Sequence, residues 1–206
     1  MGAGLHRLRT LAALCAWILA HPAQGQPAAG LASGWGLPQL MTSLARVKSA
    51  SGNFTERKTL HQLSQPLVKS GTLLYVAPDQ VQKITLSPTR ERFAISGDML
   101  TIEGGPEDRT QQLSLGSYPE IGVFIEGIRA TLAGDLPALN RFYDVQIAGG
   151  AESWQLLLQP KEPKLQQFIS RIRIVGSKSQ ILGIETEERD GDHSEMSIVE
   201  DIVDER

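Results

Sequence analysis

Few residues of this 206-residue chain have a type and spacing that could carry out chemistry. His193 follows Asp190-Gly191-Asp192, and imidazole with carboxylates is a donor set that zinc accepts. A hairpin turn requires Asp and Gly for backbone reasons alone, so we interpret this stretch as a turn and predict no metal site. The other candidate, His61, lies in the polar connection Thr59–Gln65, and we expect it to face solvent.

The motifs of the common enzyme classes are absent from the sequence. It contains no G-x-S-x-G nucleophile elbow, H-E-x-x-H helix, phosphate-binding loop or G-x-G-x-x-G dinucleotide loop. Glu185, Glu187 and Glu188 are close together, but such a charged run is typical of a solvated strand surface. We therefore predict that the protein is not an enzyme and uses no cofactor.

The N-terminal residues have the pattern of an export signal. Arg7 and Arg9 precede the apolar run 11–20, and small residues follow. The run is shorter than the roughly 20 residues that a membrane-spanning helix requires. We predict a signal peptide at 1–25 and a location in the periplasm of a Gram-negative bacterium. The only cysteine, Cys15, lies inside this signal, so the mature protein would have no disulfide or thiol chemistry.

Composition limits what the remaining chain can be. The stretch 26–36 is rich in Ala, Gly and Pro and is expected to be flexible, and 37–206 would form one domain. The formal net charge is −3, without the clustered Lys and Arg that bind phosphates, so nucleic acid is not an expected partner. We expect a monomer.

Hydrophobic periodicity predicts one helix, a group of strands, a helical insertion and a second group of strands. Leu37–Lys48 is an amphipathic helix that 49–52 would end, and Asp135 is placed to cap the second helix of the insertion. The predicted strands are 54–58, 73–76, 81–86, 91–95, 99–103, 111–115, 145–147, 153–159, 169–175, 181–187 and 195–202, and the inserted helices are 121–132 and 136–143.

The strands alternate apolar and polar residues, as in a sheet with one face in water. Trp154 and Leu156 alternate with Ser153 and Gln155, and Met196 belongs to a similar pattern in the last strand. The predicted fold is α+β, an incomplete, half-open antiparallel β-barrel with an N-terminal helix and mid-chain helices that form a lid. The apolar face would either be packed solid by the helices or enclose a space for a ligand, and periodicity alone does not decide between them.

Short motifs follow one another in a fixed order along nearly the whole mature chain. They are the helix 37–48 followed by Ser51-Gly52-Asn53-Phe54-Thr55-Glu56-Arg57, then Ser70-Gly71-Thr72-Leu73-Leu74-Tyr75-Val76 with Pro78, Gly97-Asp98-Met99-Leu100, the mid-chain helices, Trp154-Gln155-Leu156-Leu157-Leu158-Gln159-Pro160 and Ile181-Leu182-Gly183-Ile184-Glu185. This series resembles the LolA-like periplasmic carriers of outer-membrane lipoproteins. The resemblance implies an incomplete barrel whose apolar cavity receives acyl chains from an inner-membrane transporter and passes them to an outer-membrane acceptor, without covalent chemistry.

Two departures separate this chain from the better-known carriers. Ala77 stands where those carriers have an arginine that bonds to the lid, so their lid latch is not carried over. They also extend past the last long strand, whereas this sequence ends at Arg206. The chain looks more like a related branch that is associated with other outer-membrane lipids, and the cargo could be a lipoprotein or another acylated component.

If the interior is a cavity, the alternation assigns its wall and the helices assign its lid. In the strand 73–76 we assign Leu73 and Tyr75 to the cavity wall and Leu74 and Val76 to the outer face, although this strand is apolar on both faces. The alternative function is a non-catalytic scaffold or regulatory domain that binds a protein partner. The predicted wall is Phe54, Leu73, Tyr75, Phe93, Ile95, Leu100, Ile102, Trp154, Leu156, Ile172 and Ile174, and the predicted lid is Ile121, Phe124, Ile125, Ile128, Leu132 and Leu136.

Overall fold

One antiparallel sheet of eleven strands organises residues 34–105 and 108–201, the part of the chain that this computed structural model describes. Strands β1 to β6 form one meander and β7 to β11 form another, and β1 pairs with β11 to join them. The strands are β1 (Ser49–Thr59), β2 (Leu67–Val76), β3 (Gln80–Ser87), β4 (Glu91–Ser96), β5 (Met99–Gly104), β6 (Arg109–Ser114), β7 (Tyr143–Gly150), β8 (Ser153–Pro160), β9 (Ile169–Ser177), β10 (Gln180–Glu188) and β11 (His193–Glu200).

The sheet has two edges, β6 and β7, so the barrel is incomplete as predicted. In the described residues, four α-helices and a short 3-10 helix (Leu115–Ser117) accompany it. The α-helices are α1 (Leu37–Leu44), α2 (Pro119–Ala133), α3 (Leu136–Phe142) and α4 (Pro163–Gln166). The predicted α+β class, with one helix before the strands and helices between the two meanders, is therefore confirmed. No helix in the described ranges is long and apolar enough to cross a membrane.

The element boundaries correct three expectations. Residues 49–52, expected to end the first helix, are instead the start of β1, where Ser49 pairs with Val76 and Gly52 with Leu73. Backbone pairing to an apolar neighbour strand outweighs the turn preference of these small residues. The short helix α4 was not predicted, and β2 begins earlier, at Leu67. The predicted signal peptide, most of the stretch 26–36 and Ile202 lie outside the described residues.

A closed hydrophobic core forms where the helices cover β7 to β10. Alternate residues of β8 point inward, and Asp135 caps α3 by accepting a hydrogen bond from the Ala138 N–H at 2.9 Å, as predicted. The core consists of Leu40, Met41, Leu44, Val123, Ala130, Leu139, Tyr143, Trp154, Leu156, Leu158, Leu165, Ile172, Ile174 and Ile181.

Two glycines let α2 approach its neighbours closely. A Cβ at Gly127 would lie 2.7–2.8 Å from the ring and hydroxyl of Tyr143, whose hydroxyl donates to the Val123 carbonyl at 3.0 Å. Gly134 ends the helix in the left-handed conformation, with φ of 65°, and a Cβ there would lie 2.1 Å from the Met41 carbonyl oxygen. These glycines, which weaken the helix by propensity, allow it to seat against Tyr143 and α1.

Replacing Gly127 with alanine is expected to destabilise the protein, although the same change in a helix free of tertiary contacts is stabilising by about 1 kcal/mol. The added methyl group overlaps the buried Tyr143 ring, and overpacking of this kind costs about 1–3 kcal/mol. Urea unfolding would measure the change in the free energy of unfolding. Gly150→Ala, whose Cβ would meet nothing within 4 Å, is the control and should be nearly neutral. A Gly127→Ala protein as stable as wild type would contradict this account of the packing.

Candidate functional site

An internal cavity of about 500 Å³ lies between the inner face of the sheet and α2. Its wall comes from β1 to β6 and from β9 to β11, and α2 contributes the side that faces them. Nearly all of its lining surface is apolar, because alternate residues of each strand point inward. The apolar face of the sheet is therefore filled by helices over one part and left open over another.

Seven residues of the predicted wall line this cavity, and four lie elsewhere. Phe54 is buried beside it, and the Lys83 ammonium lies 4.9 Å from the centre of its ring. Trp154, Leu156 and Ile172 lie in the closed core, because helices cover their part of the sheet. The seven that line the cavity are Leu73, Tyr75, Phe93, Ile95, Leu100, Ile102 and Ile174.

The predicted lid divides in a similar way. Ile121, Phe124, Ile125, Ile128 and Leu132 are on α2 and line the cavity. Leu136 is the first residue of α3 and packs against the closed core instead. Only one of the two inserted helices therefore faces the cavity.

Further lining residues were not among those predicted. Two of them, Met196 and Ile198, belong to the alternating pattern of the last strand, which was the signal that could have identified them. The pairing of β11 with β1 brings that strand into the cavity wall, and sequence periodicity does not predict such a pairing. The additional apolar lining residues are Ala50, Leu74, Val81, Leu113, Ile181, Ile184, Met196 and Ile198.

One part of the cavity wall is polar. Glu56 and Lys83 form an ion pair with 2.6 Å between Oε2 and Nζ, and their side chains are only 15% and 25% exposed. The Ser194 hydroxyl donates to the other Glu56 oxygen at 3.1 Å. Partial burial makes each charge depend on its partner, because an unpaired charge in such a place is costly. The lining is thus an apolar chamber with a paired charge at one side.

The histidine and aspartate residues that could bind a metal connect two parts of the chain. His61, expected to face solvent, is half exposed but anchored: its backbone N–H donates to Asp192 Oδ1 at 2.7 Å, and its ring Nδ1 lies 2.7 Å from the same oxygen. Asp190 lies beside these two residues. The atoms of the three side chains that could bind a metal ion lie within 4.8 Å of one another, and His193 is not part of this cluster. Asp190 accepts a hydrogen bond from the Asp192 N–H, so these contacts tie the 60–66 connection to the β10–β11 hairpin.

The three glutamates that follow each other in β10 also have partners. Glu185 and Glu187 form ion pairs with Arg173 and Arg171 of the neighbouring strand, on partly exposed surface. Glu188 pairs with Lys58 at 2.7 Å. These contacts fit a charged, solvated sheet surface.

A scan of protein families matches residues 27–200 to the family described as outer membrane lipoprotein carrier protein LolA-like. The protein is a member of the LolA-like family. The predicted recognition is thereby confirmed. The family description names a carrier and no catalytic activity. No curated protein matches the chain.

Several solved structures are similar to this LolA-like chain at low sequence identity. A LolA superfamily protein from Nitrosomonas europaea has 9% identity and a TM-score of 0.43, with 78% of this chain and 90% of that chain covered. The Pseudomonas aeruginosa MucA/MucB complex has 14% identity and a TM-score of 0.46, with 79% of this chain and 55% of that chain covered. The structure of the Clostridioides difficile CwlD amidase in complex with the GerS lipoprotein has 13% identity and a TM-score of 0.37, with 73% of this chain and 82% of that chain covered.

The Asp192 anchor predicts a pH-dependent stability. Hydrogen bonds from the backbone N–H and ring of His61 lower the pKa of Asp192 below its usual value. A carboxyl with a lowered folded-state pKa stabilises the protein above its unfolded pKa of about 3.9, and this contribution is lost as the pH falls through the folded value. Asp192→Asn should therefore lower Tm at pH 7, and the difference from wild type should disappear at acidic pH.

Thermal unfolding followed by circular dichroism between pH 7 and pH 2.5 would measure this difference. Asp144→Asn is the control, because Asp144 is exposed and its contact with Lys161 is a 3.3 Å surface ion pair that contributes little. A Tm difference for Asp192→Asn that stayed constant across this pH range would show that the charge of Asp192 is not the stabilising feature.

Proposed function

We propose that the protein is a periplasmic carrier that holds acyl chains in this cavity and moves them from the inner to the outer membrane. The acyl chains would belong to lipoproteins or to another outer-membrane lipid. The observation that carries the proposal is the cavity of about 500 Å³ with an almost wholly apolar lining, in a member of a lipoprotein-carrier family. Its volume lies within the range of about 300–1,000 Å³ that is typical of ligand pockets.

Hydrophobic transfer supplies the driving force. Each buried methylene group contributes about 0.8 kcal/mol, so a chain of about fifteen methylenes contributes roughly 12 kcal/mol before the costs of binding. Such a gain suits a carrier, since the chain leaves water on loading and leaves the cavity only for another apolar environment. The seven wall residues would contact the chain, together with the five apolar lining residues of α2. The wall residues are Leu73, Tyr75, Phe93, Ile95, Leu100, Ile102 and Ile174.

The rest of the proposal follows from transport between two membranes. The signal peptide at 1–25 would direct export and be removed, leaving the carrier domain 37–206. An inner-membrane transporter would load the carrier and an outer-membrane acceptor would unload it, with the protein acting as a monomer. Because loading and unloading only exchange apolar surroundings, the cycle requires neither a catalytic residue nor a cofactor.

A charge placed on the inner face should abolish binding, whereas the same charge on the outer face should not. Ile198 lines the cavity and its neighbour Val199, on the opposite face of β11, is 70% exposed. Ile198→Glu would bring an unpaired carboxylate against the acyl chain, and we expect its affinity for a fluorescent fatty acid to fall at least tenfold. Val199→Glu is the matched control and should bind like wild type. Circular dichroism would verify that both variants are folded.

Native mass spectrometry of the protein purified from the periplasm would test the cargo directly. We expect a bound mass of acyl-lipid size, which organic extraction would assign to a lipoprotein or another lipid. A ligand-free mass, with equal weak binding by both glutamate variants and wild type, would overturn the carrier proposal. It would favour instead the non-catalytic domain that binds a protein partner.

A further inference from the structure

Two buried hydrogen-bonding atoms in the cavity wall have no partner among the described residues. They are the hydroxyl of Tyr75, on β2, and the Nε of Arg129, on α2. Tyr75 is only 3% exposed. A third such atom, the Thr85 hydroxyl, belongs to a residue that does not line the cavity. Buried polar atoms are nearly always hydrogen-bonded in folded proteins, so two unpaired ones in one ligand-sized cavity indicate a partner that the ligand supplies.

Both side chains lie toward the same end of the sheet, where the β2–β3 turn meets the β4–β5 hairpin. Tyr75 pairs with Val81 and Val81 pairs with Ile95, two residues before Gly97. Arg129 donates from Nη1 to the Gly97 carbonyl at 2.9 Å, and the Gly97 N–H donates to Asp79 Oδ2 at 3.1 Å. The charge of Asp79 also acts on the Tyr75 hydroxyl. The Gly97 bond holds the guanidinium in place while its Nε remains unused.

Both atoms are hydrogen-bond donors toward a ligand. Burial, and next the charge of Asp79, raises the pKa of Tyr75, so its phenol keeps its proton at neutral pH. The guanidinium of Arg129 has donor atoms only, because an arginine side chain carries no hydrogen-bond acceptor. The group that satisfies both must therefore carry an acceptor oxygen.

Neighbouring charges favour a neutral acceptor over an oxyanion. Asp79 lies near the Tyr75 hydroxyl, and Glu126 Oε2 lies 3.8 Å from Arg129 Nη1. These two carboxylates outweigh the single positive charge of Arg129. An anionic headgroup would be repelled by them, whereas a carbonyl oxygen accepts both hydrogen bonds without adding negative charge.

We propose that Tyr75 and Arg129 bind the ester or amide carbonyl that joins an acyl chain to the rest of its molecule. The apolar wall of the cavity then binds the hydrocarbon, and Tyr75 and Arg129 form hydrogen bonds to the acyl linkage. This inference rests on the proposed carrier function and narrows its cargo to acylated molecules, in preference to free fatty acids or plain hydrocarbon.

A matched pair of probes tests the assignment. Methyl palmitate and methyl hexadecyl ether differ essentially in the carbonyl oxygen, and each can displace the neutral fluorescent probe N-phenyl-1-naphthylamine. We expect wild type to bind the ester about three- to tenfold more tightly, the range for one or two hydrogen bonds. Tyr75→Phe removes one hydroxyl and should reduce this ratio, and Arg129→Met should reduce it further. Tyr118→Phe and Arg57→Met, two exposed positions away from the cavity, are the controls and should keep it.

The affinity of each variant for the ether shows whether a substitution changes the shape of the cavity or only removes a hydrogen bond. Loss of the Gly97 contact in Arg129→Met would affect both probes, whereas loss of a donor affects only the ester. Equal binding of ester and ether by wild type, or an unchanged ratio in Tyr75→Phe, would overturn the carbonyl assignment and leave the carrier proposal standing. Palmitate binding more tightly than the ester in an Arg129-dependent way would also overturn it, in favour of an oxyanion. If methyl palmitate, methyl hexadecyl ether and palmitate all failed to bind, that result would instead contradict the carrier function.

Discussion

The pairing of β1 with β11 is the constraint on which the rest of the structure depends. It runs from Gly52 opposite Glu200 to Thr59 opposite His193, and it joins strands that are far apart in the chain. Without it the two meanders would be separate sheets, each with an apolar face to cover. With it, one face continues from β6 to β7 and bends around α2, so that residues of the first and last strands line the same chamber. Every other feature of the interior follows from how this one face is covered.

The helices cover that face unevenly, and this divides structural from binding roles. Over β7 and β8 the helices α1, α2 and α3 fill the space completely, and Tyr143 seats against Gly127 with no room for a methyl group. Over β2 to β5, α2 packs against Leu100 and Leu115 in a small second cluster and leaves the cavity beside it unfilled. The closed part stabilises the sheet and holds α2 in place, which lets the open part keep a cavity that an isolated curved sheet would lose by collapse.

The polar groups of the cavity follow the same division. Glu56 and Lys83 satisfy each other, so they place charge in the wall without requiring a ligand. Tyr75 and Arg129 also line the cavity, and each keeps a buried donor atom that has no partner among the described residues. A carrier with both features separates the hydrocarbon, which any apolar wall accepts, from the linkage, which only fixed donors distinguish. Specificity in such a protein would come from a few hydrogen bonds, and affinity from apolar area.

The sequence by itself determined the α+β class, the order of the strands and of every helix but α4, the inward face of most strands and the absence of known enzyme motifs. Alternation with a period of two sorts residues between the faces of a strand, but it carries no information about what covers a face. Leu156 and Ile102 therefore have the same pattern, and only the tertiary structure decided that one is packed core and the other cavity wall. The same holds for His61 and Asp192, which are far apart in sequence and in contact in the structure. Tyr75 and Arg129 are also far apart in sequence and line one cavity, which local periodicity does not encode.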